Sequence, residues 1–181
     1  MLARGEAKRP AFNEPAPPEG ADAEDLLLPD TTTTTASPQE LVRLVQTVQE
    51  ARLQVMEVFI SRFQDLVTAG RAAEYPALVE RFKPKFQACQ TSLGRISDAL
   101  GPHQVVAALV KRVEAEESKR LDIQLELQVL EQHLSLLGLD DPDQPEMKEQ
   151  VRTKRAALKT CSESIYELLE ELRCEAADIE A

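Results

Sequence analysis

Tryptophan is absent, and aromatic residues make up only 4% of the 181-residue chain. Any core must therefore be mostly aliphatic. Six glycines are too few for a turn-rich sheet protein, and a charged fraction of 29% suits long helices. The three cysteines, Cys89, Cys161 and Cys174, are odd in number and form no CxxC pair, so neither a disulfide framework nor a zinc site is indicated. Three reduced thiols are expected, two of them core fillers. The two histidines, His103 and His133, have no Cys, Asp or second His at ligand spacing. No apolar run approaches the roughly 20 residues of a membrane span. The opening MLARGEAKRPAF has no apolar signal core, and Glu6, Glu14 and Glu19 are unlike an acid-poor transit peptide. An intracellular, soluble chain is expected.

Acid is in excess. The formal charge is −11, and residues 139–181 alone hold 12 acidic against 6 basic groups. Non-specific affinity for DNA comes mainly from neutralising phosphates, so this balance disfavours a primary DNA-binding module. A protein partner or a local basic stripe fits better. A content of 43% hydrophobic residues is enough for one core of ordinary size, and the length fits one domain plus a tail.

Residues 1–36 combine Pro10, Pro15, Pro17 and Pro18 with an acidic patch and five threonines, Thr31 to Thr35. Such composition cannot bury enough apolar surface to offset its ordering entropy, which predicts a disordered tail. Leu26 to Leu28 within it, flanked by acids, form either a passive linker or a short docking motif.

The helical domain, 37–181, begins at SPQE. Ser37 is placed as the cap, Pro38 in the first turn and Glu40 three residues on, the capping-box arrangement. Leu41, Leu44, Val45, Val48, Val55, Phe59, Phe63 and Leu66 continue a helical stripe that Gly70 ends. Arg52 interrupts that stripe. It is either a snorkelling side chain or a buried cation that needs a carboxylate.

The second stripe, Tyr75, Val79, Phe82, Phe86, Cys89, Leu93, Ile96 and Leu100, steps by four and three, the seam of helices packed at a shallow angle. Pro84 inside it should kink the helix. Gly101-Pro102 closes it, and the third helix follows at once, predicting an antiparallel hairpin. Its apolar face is Val106, Leu109, Val110 and Val113, then Ile123, Leu127, Leu130, Leu134 and Leu137. The fourth seam is Met147, Val151, Leu158, Cys161, Ile165, Leu168 and Leu172. Helices are predicted at about 38–69, 73–100, 103–137 and 145–177, each on the order of 45 Å long. The expected fold is all-α: an elongated antiparallel four-helix bundle, or coiled-coil-like helical hairpins.

Between the two apolar blocks of the third helix lies the belt EAEESKR, Glu114 to Arg120. It is either a solvated face or a place where Glu116 or Glu117 turns inward to meet Arg52 and fix the register of the bundle. A second constellation is the basic stripe Lys148, Arg152, Arg155 and Lys159, spaced four, three and four along one face of the fourth helix. It pairs with acids of a neighbouring helix such as Glu126 or Glu131, or it contacts phosphate. No Gly-rich phosphate loop, nucleophile elbow or acidic metal motif is present in the sequence. No catalytic residue, metal or cofactor is expected.

Three blocks carry a resemblance: QELVRLVQTVQEARLQ (39–54), VEAEESKRLDIQLELQVL (113–130) and SIYELLEELRCEAADIE (164–180). Together they resemble the Required for excision 1-B family of small eukaryotic DNA-repair proteins. That resemblance implies a part in excision repair of damaged DNA, in the nucleus, with no known catalytic residue. Its matched polar positions are Arg52, Glu117, Arg120 and Arg173. The residues themselves make these structural or partner-facing. A non-enzymatic helical adaptor that works through protein partners, including repair machinery, is expected. No membrane association is expected, and self-association is left open. The alternative is a coiled-coil subunit of a cytoskeletal, ciliary or trafficking assembly, with the long seams serving for docking.

Overall fold

The computed structural model describes residues 36–138 and 140–179. The tail predicted for residues 1–36, with Leu26 to Leu28 and Thr31 to Thr35, lies outside these except for Ala36. Four helices make up the fold: α1 Pro38–Thr68, α2 Tyr75–Ala99, α3 Gln104–Leu136 and α4 Gln144–Asp178. A short 3-10 turn, Ala72–Glu74, takes the first residues expected for the second helix.

Local chemistry fixes the ends of α1. Ser37 Oγ accepts from the Glu40 amide, and Glu40 Oε2 accepts from the Ser37 amide at 2.7 Å. This reciprocal pair satisfies two of the amides that a helix start leaves open. It also holds the Glu40 carboxyl below its usual range. At the other end Gly70 has φ +68°, with Arg71 N donating to Leu66 O and Gly70 N to Val67 O, a Schellman termination. α2 runs through Pro84 as one element. Proline there withholds a bond from the Glu80 carbonyl, but both residues are on the exposed side, where water can serve it.

Two apolar clusters show the direction of each helix. The first joins the start of α1 (Leu41, Val42, Val45, Val48), the end of α2 (Cys89 to Leu100), the start of α3 (Val106 to Val113) and the end of α4 (Leu168, Leu172, Ala176). Helix starts and ends alternate, so the four run up, down, up and down. The second cluster holds Val55, Met56, Phe59 and Phe63 of α1 with Tyr75, Phe82 and Phe86 of α2. Phe59 meets Phe82 and Phe86 at ring separations of 5.3 and 6.0 Å, and Phe63 meets Tyr75 at 5.3 Å. From α3 this cluster receives only the half-buried Leu121 and Leu125, and from α4, among the described residues, nothing. α4 packs chiefly on α3, and α1 chiefly on α2. The architecture is two hairpins joined through the short link between α2 and α3.

The expected core of α3 needs correcting. Val106, Leu109, Val110, Val113 and Leu127 are buried, but Ile123, Leu130, Leu134 and Leu137 are only half-buried. In that half the buried positions are Gln124 and Gln128 together with Leu127. Leucines outnumber glutamines there, yet the inward face is set by angular position on the helix rather than by apolarity. Ser97, also buried, donates to the Ala107 carbonyl at 3.1 Å and ties α2 to α3.

Leu93 is fully buried in the first cluster, while Leu136 is 73% exposed. Leu93→Ala is expected to cost about 2–5 kcal/mol and Leu136→Ala less than about 0.5. Midpoints of urea unfolding measure both.

Candidate functional site

The charged belt of α3 delivers one carboxylate to the interior. Arg52 Nε donates to Glu117 Oε2 at 2.9 Å and Arg52 Nη2 donates to the Glu117 main-chain carbonyl at 3.0 Å. The side chains are 3% and 2% exposed. The Arg52 guanidinium also lies 5.4 Å from the centre of the Phe86 ring, within cation–π range. Its stem reaches across the bundle, since α1 and α3 are not the closest neighbours in it. The pair is seated at a boundary. Val48, Cys89 and Val113 of the first cluster lie on one side, and Val55, Phe86 and Leu121 of the second on the other.

Glu116, the other candidate for Arg52, turns elsewhere. Lys119 Nζ reaches Glu116 Oε2 at 3.2 Å, and the Cys161 thiol donates to the Glu116 carbonyl and carboxylate. One position along a helix is a rotation of about 100°, so two adjacent carboxylates cannot both face the axis. Arg120, one turn beyond Glu117, places Nη2 2.9 Å from Glu117 Oε2 and is 11% exposed. Arg173 does not join this group. It is exposed on α4 and pairs with Glu170 at 2.7 Å.

The basic stripe is on the surface of α4, and its cations are engaged within the molecule. Arg155 pairs with Glu131 of α3 at 2.7 Å. Glu126 is taken by Lys154, which lies off the stripe. Lys148 donates to Gln144, while Arg152 pairs with Glu149 and Lys159 with Glu163, all within α4. One of the four stripe cations is thus paired across helices, while Arg152 and Lys159 meet acids three or four residues away on α4 and Lys148 meets the Gln144 amide.

A polar seam continues from the lock, and sequence reasoning missed it. Tyr75 OH donates to Gln128 Oε1 at 2.9 Å, and Gln132 Nε2 to the Ala72 carbonyl at 3.4 Å. Gln49 on α1 and Gln124 on α3 are buried as well. The signal was available: 117, 120, 124 and 128 step by three, four and four, a single helical face. Burial pushes the Tyr75 hydroxyl up to about 12. Burial also raises the Cys89 thiol, partly offset by the nearby Arg52, and raises Cys161, where Glu116 adds to the effect. Both thiols are held away from the thiolate form that nucleophiles and metal ligands need. Among the described residues no group of three His, Cys, Asp or Glu side chains could hold a metal ion. No described helix is long and apolar enough to cross a membrane.

A family model described as DNA repair REX1-B matches residues 40–131. The chain belongs to the DNA repair REX1-B family. That membership gives it a role in DNA repair. No curated protein and no solved structure matches the chain. The match spans α1, α2 and most of α3, so Arg52, Glu117 and Arg120 all fall inside it. α4, with the basic stripe, Arg173 and the third block of resemblance, falls outside.

Removing one partner of a buried ion pair strands the other, so Glu117→Ala is expected to cost about 3–5 kcal/mol, whereas the paired replacement Arg52→Met with Glu117→Met should be close to neutral. Glu116→Ala should cost less than about 1 kcal/mol. Glu117→Lys should lower the melting temperature by several degrees, with Arg52→Glu partly restoring it. A double-mutant cycle followed by thermal unfolding reads all of these.

Tyr75 gives a pH signature. Its folded pKa is raised from 10.0 to about 12, so its contribution is fully present below the unfolded value and is lost as pH rises through the folded one. Stability should fall between pH 10 and 12 with a component that Tyr75→Phe removes, which alkaline titration of the unfolding midpoint will detect.

Proposed function

We propose that this chain is a non-enzymatic accessory protein in excision repair of damaged DNA, acting in the nucleus through contacts with other proteins. The observation that carries the reading is the family match over residues 40–131, which contains both partners of the buried lock. Three further features support it. The most buried charged side chains hold one another rather than lining an open cleft, as a structural lock does. The stripe cations already have acceptors within the molecule, and the formal charge is −11, so attraction to phosphate is weak. Large apolar side chains stand exposed at separate places on the surface, among them Val105, Leu136 and Tyr166, offering contact area to proteins.

Cells lacking the gene are expected to lose survival after ultraviolet irradiation, with recovery when the intact gene is returned. A variant with Lys148, Arg152, Arg155 and Lys159 all changed to Gln should rescue equally well, and the purified protein should show no salt-sensitive affinity for DNA. Failure of that variant, together with DNA binding that weakens steeply as salt is added, would move the function to direct phosphate contact. Normal survival of the deletion with a motility or transport defect would favour a coiled-coil assembly subunit instead.

A further inference from the structure

Among the described residues, four buried side-chain atoms have no hydrogen-bond partner: Gln49 Nε2, Arg120 Nε, Arg120 Nη2 and Gln128 Nε2. All four are N–H donors. Arg120 Nη2 is nonetheless ion-paired with Glu117 Oε2 at 2.9 Å, so the donors left without an acceptor from the protein are Gln49 Nε2, Arg120 Nε and Gln128 Nε2. These donors are not scattered. Gln49 is buried on α1, and the others belong to Arg120 and Gln128 on the polar buried face of α3. A buried donor without an acceptor costs its desolvation, and water would remove that cost. Along this seam the closed bundle supplies these donors with no acceptor from the protein.

The rest of the fold determines where the penalty can be relieved. At the end of the molecule that holds Leu41, Leu100, Val106 and Leu172, all four helices share one apolar cluster. The only link between the hairpins, Gly101 to His103, is at that same end. At the opposite end, around Phe63 and Tyr75, the aromatic cluster is completed within α1 and α2, and α3 adds only two half-buried leucines. One end is anchored by all four helices. The other is joined by two side-chain hydrogen bonds, Tyr75 to Gln128 and Gln132 to Ala72, and by the half-buried Leu121 and Leu125.

We propose that the two hairpins work as a jaw: hinged at the four-helix cluster, latched by Arg52 and Glu117, and opening at the Tyr75 end to expose the polar face of α3. Opening returns the stranded donors of Arg120 and Gln128 to water while the aromatic cluster of α1 and α2 stays intact. Arg120 rides on the same helix as Glu117 and remains within its reach when Arg52 withdraws, so the carboxylate keeps a cation during the first step. The exposed face, with Arg120, Gln124 and Gln128, suits a partner segment rich in hydrogen-bond acceptors.

Hydrogen exchange by mass spectrometry on the full chain tests this. In the native protein, amides of α3 from 117 to 132 should exchange at least tenfold faster than those from 106 to 113, through a sub-global opening. Replacing Tyr75 by Phe and Gln128 by Leu makes the jaw dry, and should slow exchange in 117–132 by about tenfold or more with much less change in 106–113. Glu117→Gln should speed the same segment. Equal protection along the whole of α3 in the native protein overturns the proposal without need of any variant. So does an apolar double variant that changes every helix alike, because that is a global effect.

Discussion

The contact between Arg52 and Glu117 is the constraint on which the other features depend. It is buried, it is bidentate through one side-chain and one main-chain acceptor, and it joins helices that are otherwise poorly in touch. A leucine in either place would be satisfied in many registers. A guanidinium that needs a particular oxygen is satisfied in one, and a slip by a single residue rotates Glu117 away by about 100°. Such a pair adds little net stability over an apolar replacement, since desolvation offsets most of the attraction. Its effect is to make incorrectly packed states worse, which is the role attested for buried polar groups in helical assemblies.

The lock also explains why the core is split. Arg52 and Glu117 stand between an aliphatic cluster built by all four helices and an aromatic one built by two. Five of the seven aromatic residues, Phe59, Phe63, Tyr75, Phe82 and Phe86, are gathered in the second cluster, and Tyr166 is exposed on α4, so the first cluster is aliphatic apart from Cys89. The two ends of the bundle thus differ in kind. One is a conventional four-layer aliphatic core. The other is an aromatic hairpin against which α3 presents the half-buried Leu121 and Leu125 and the Gln128 amide that accepts from Tyr75.

Much of this was legible in the sequence because long helices announce their inward face by period. The capping box at Ser37, the stop at Gly70, the seam from Tyr75 to Leu100 and the interruptions at Arg52 and in the α3 belt could all be read from spacing. Spacing could not decide between Glu116 and Glu117, because that choice turns on how far α3 is rotated about its axis, a tertiary quantity. The same rotation explains why Ile123, Leu130 and Leu134 were expected in the core and Gln124 and Gln128 were not. In that half of α3 both the glutamine face and the leucine face are partly covered, so hydrophobicity no longer marks the inside. The partners of the basic stripe were hidden for a different reason. Exposed pairs within one helix compete on nearly equal terms with pairs between helices, and only coordinates show which acid is nearer.

The division between α1–α3 and α4 bears on what the family trait consists of. The matched stretch, 40–131, includes every residue of the lock, the aromatic cluster and the seam through Gln128, but none of α4. α4 contributes Leu168, Leu172 and Ala176 to the first cluster and covers one side of α3 with surface ion pairs, and it leaves the aromatic end untouched. The part of the chain that defines the family is therefore the part that carries the buried charges and the unpaired donors. Stability alone would be served about as well by apolar residues at Arg52 and Glu117, so the polar character of this interior has a reason other than stability.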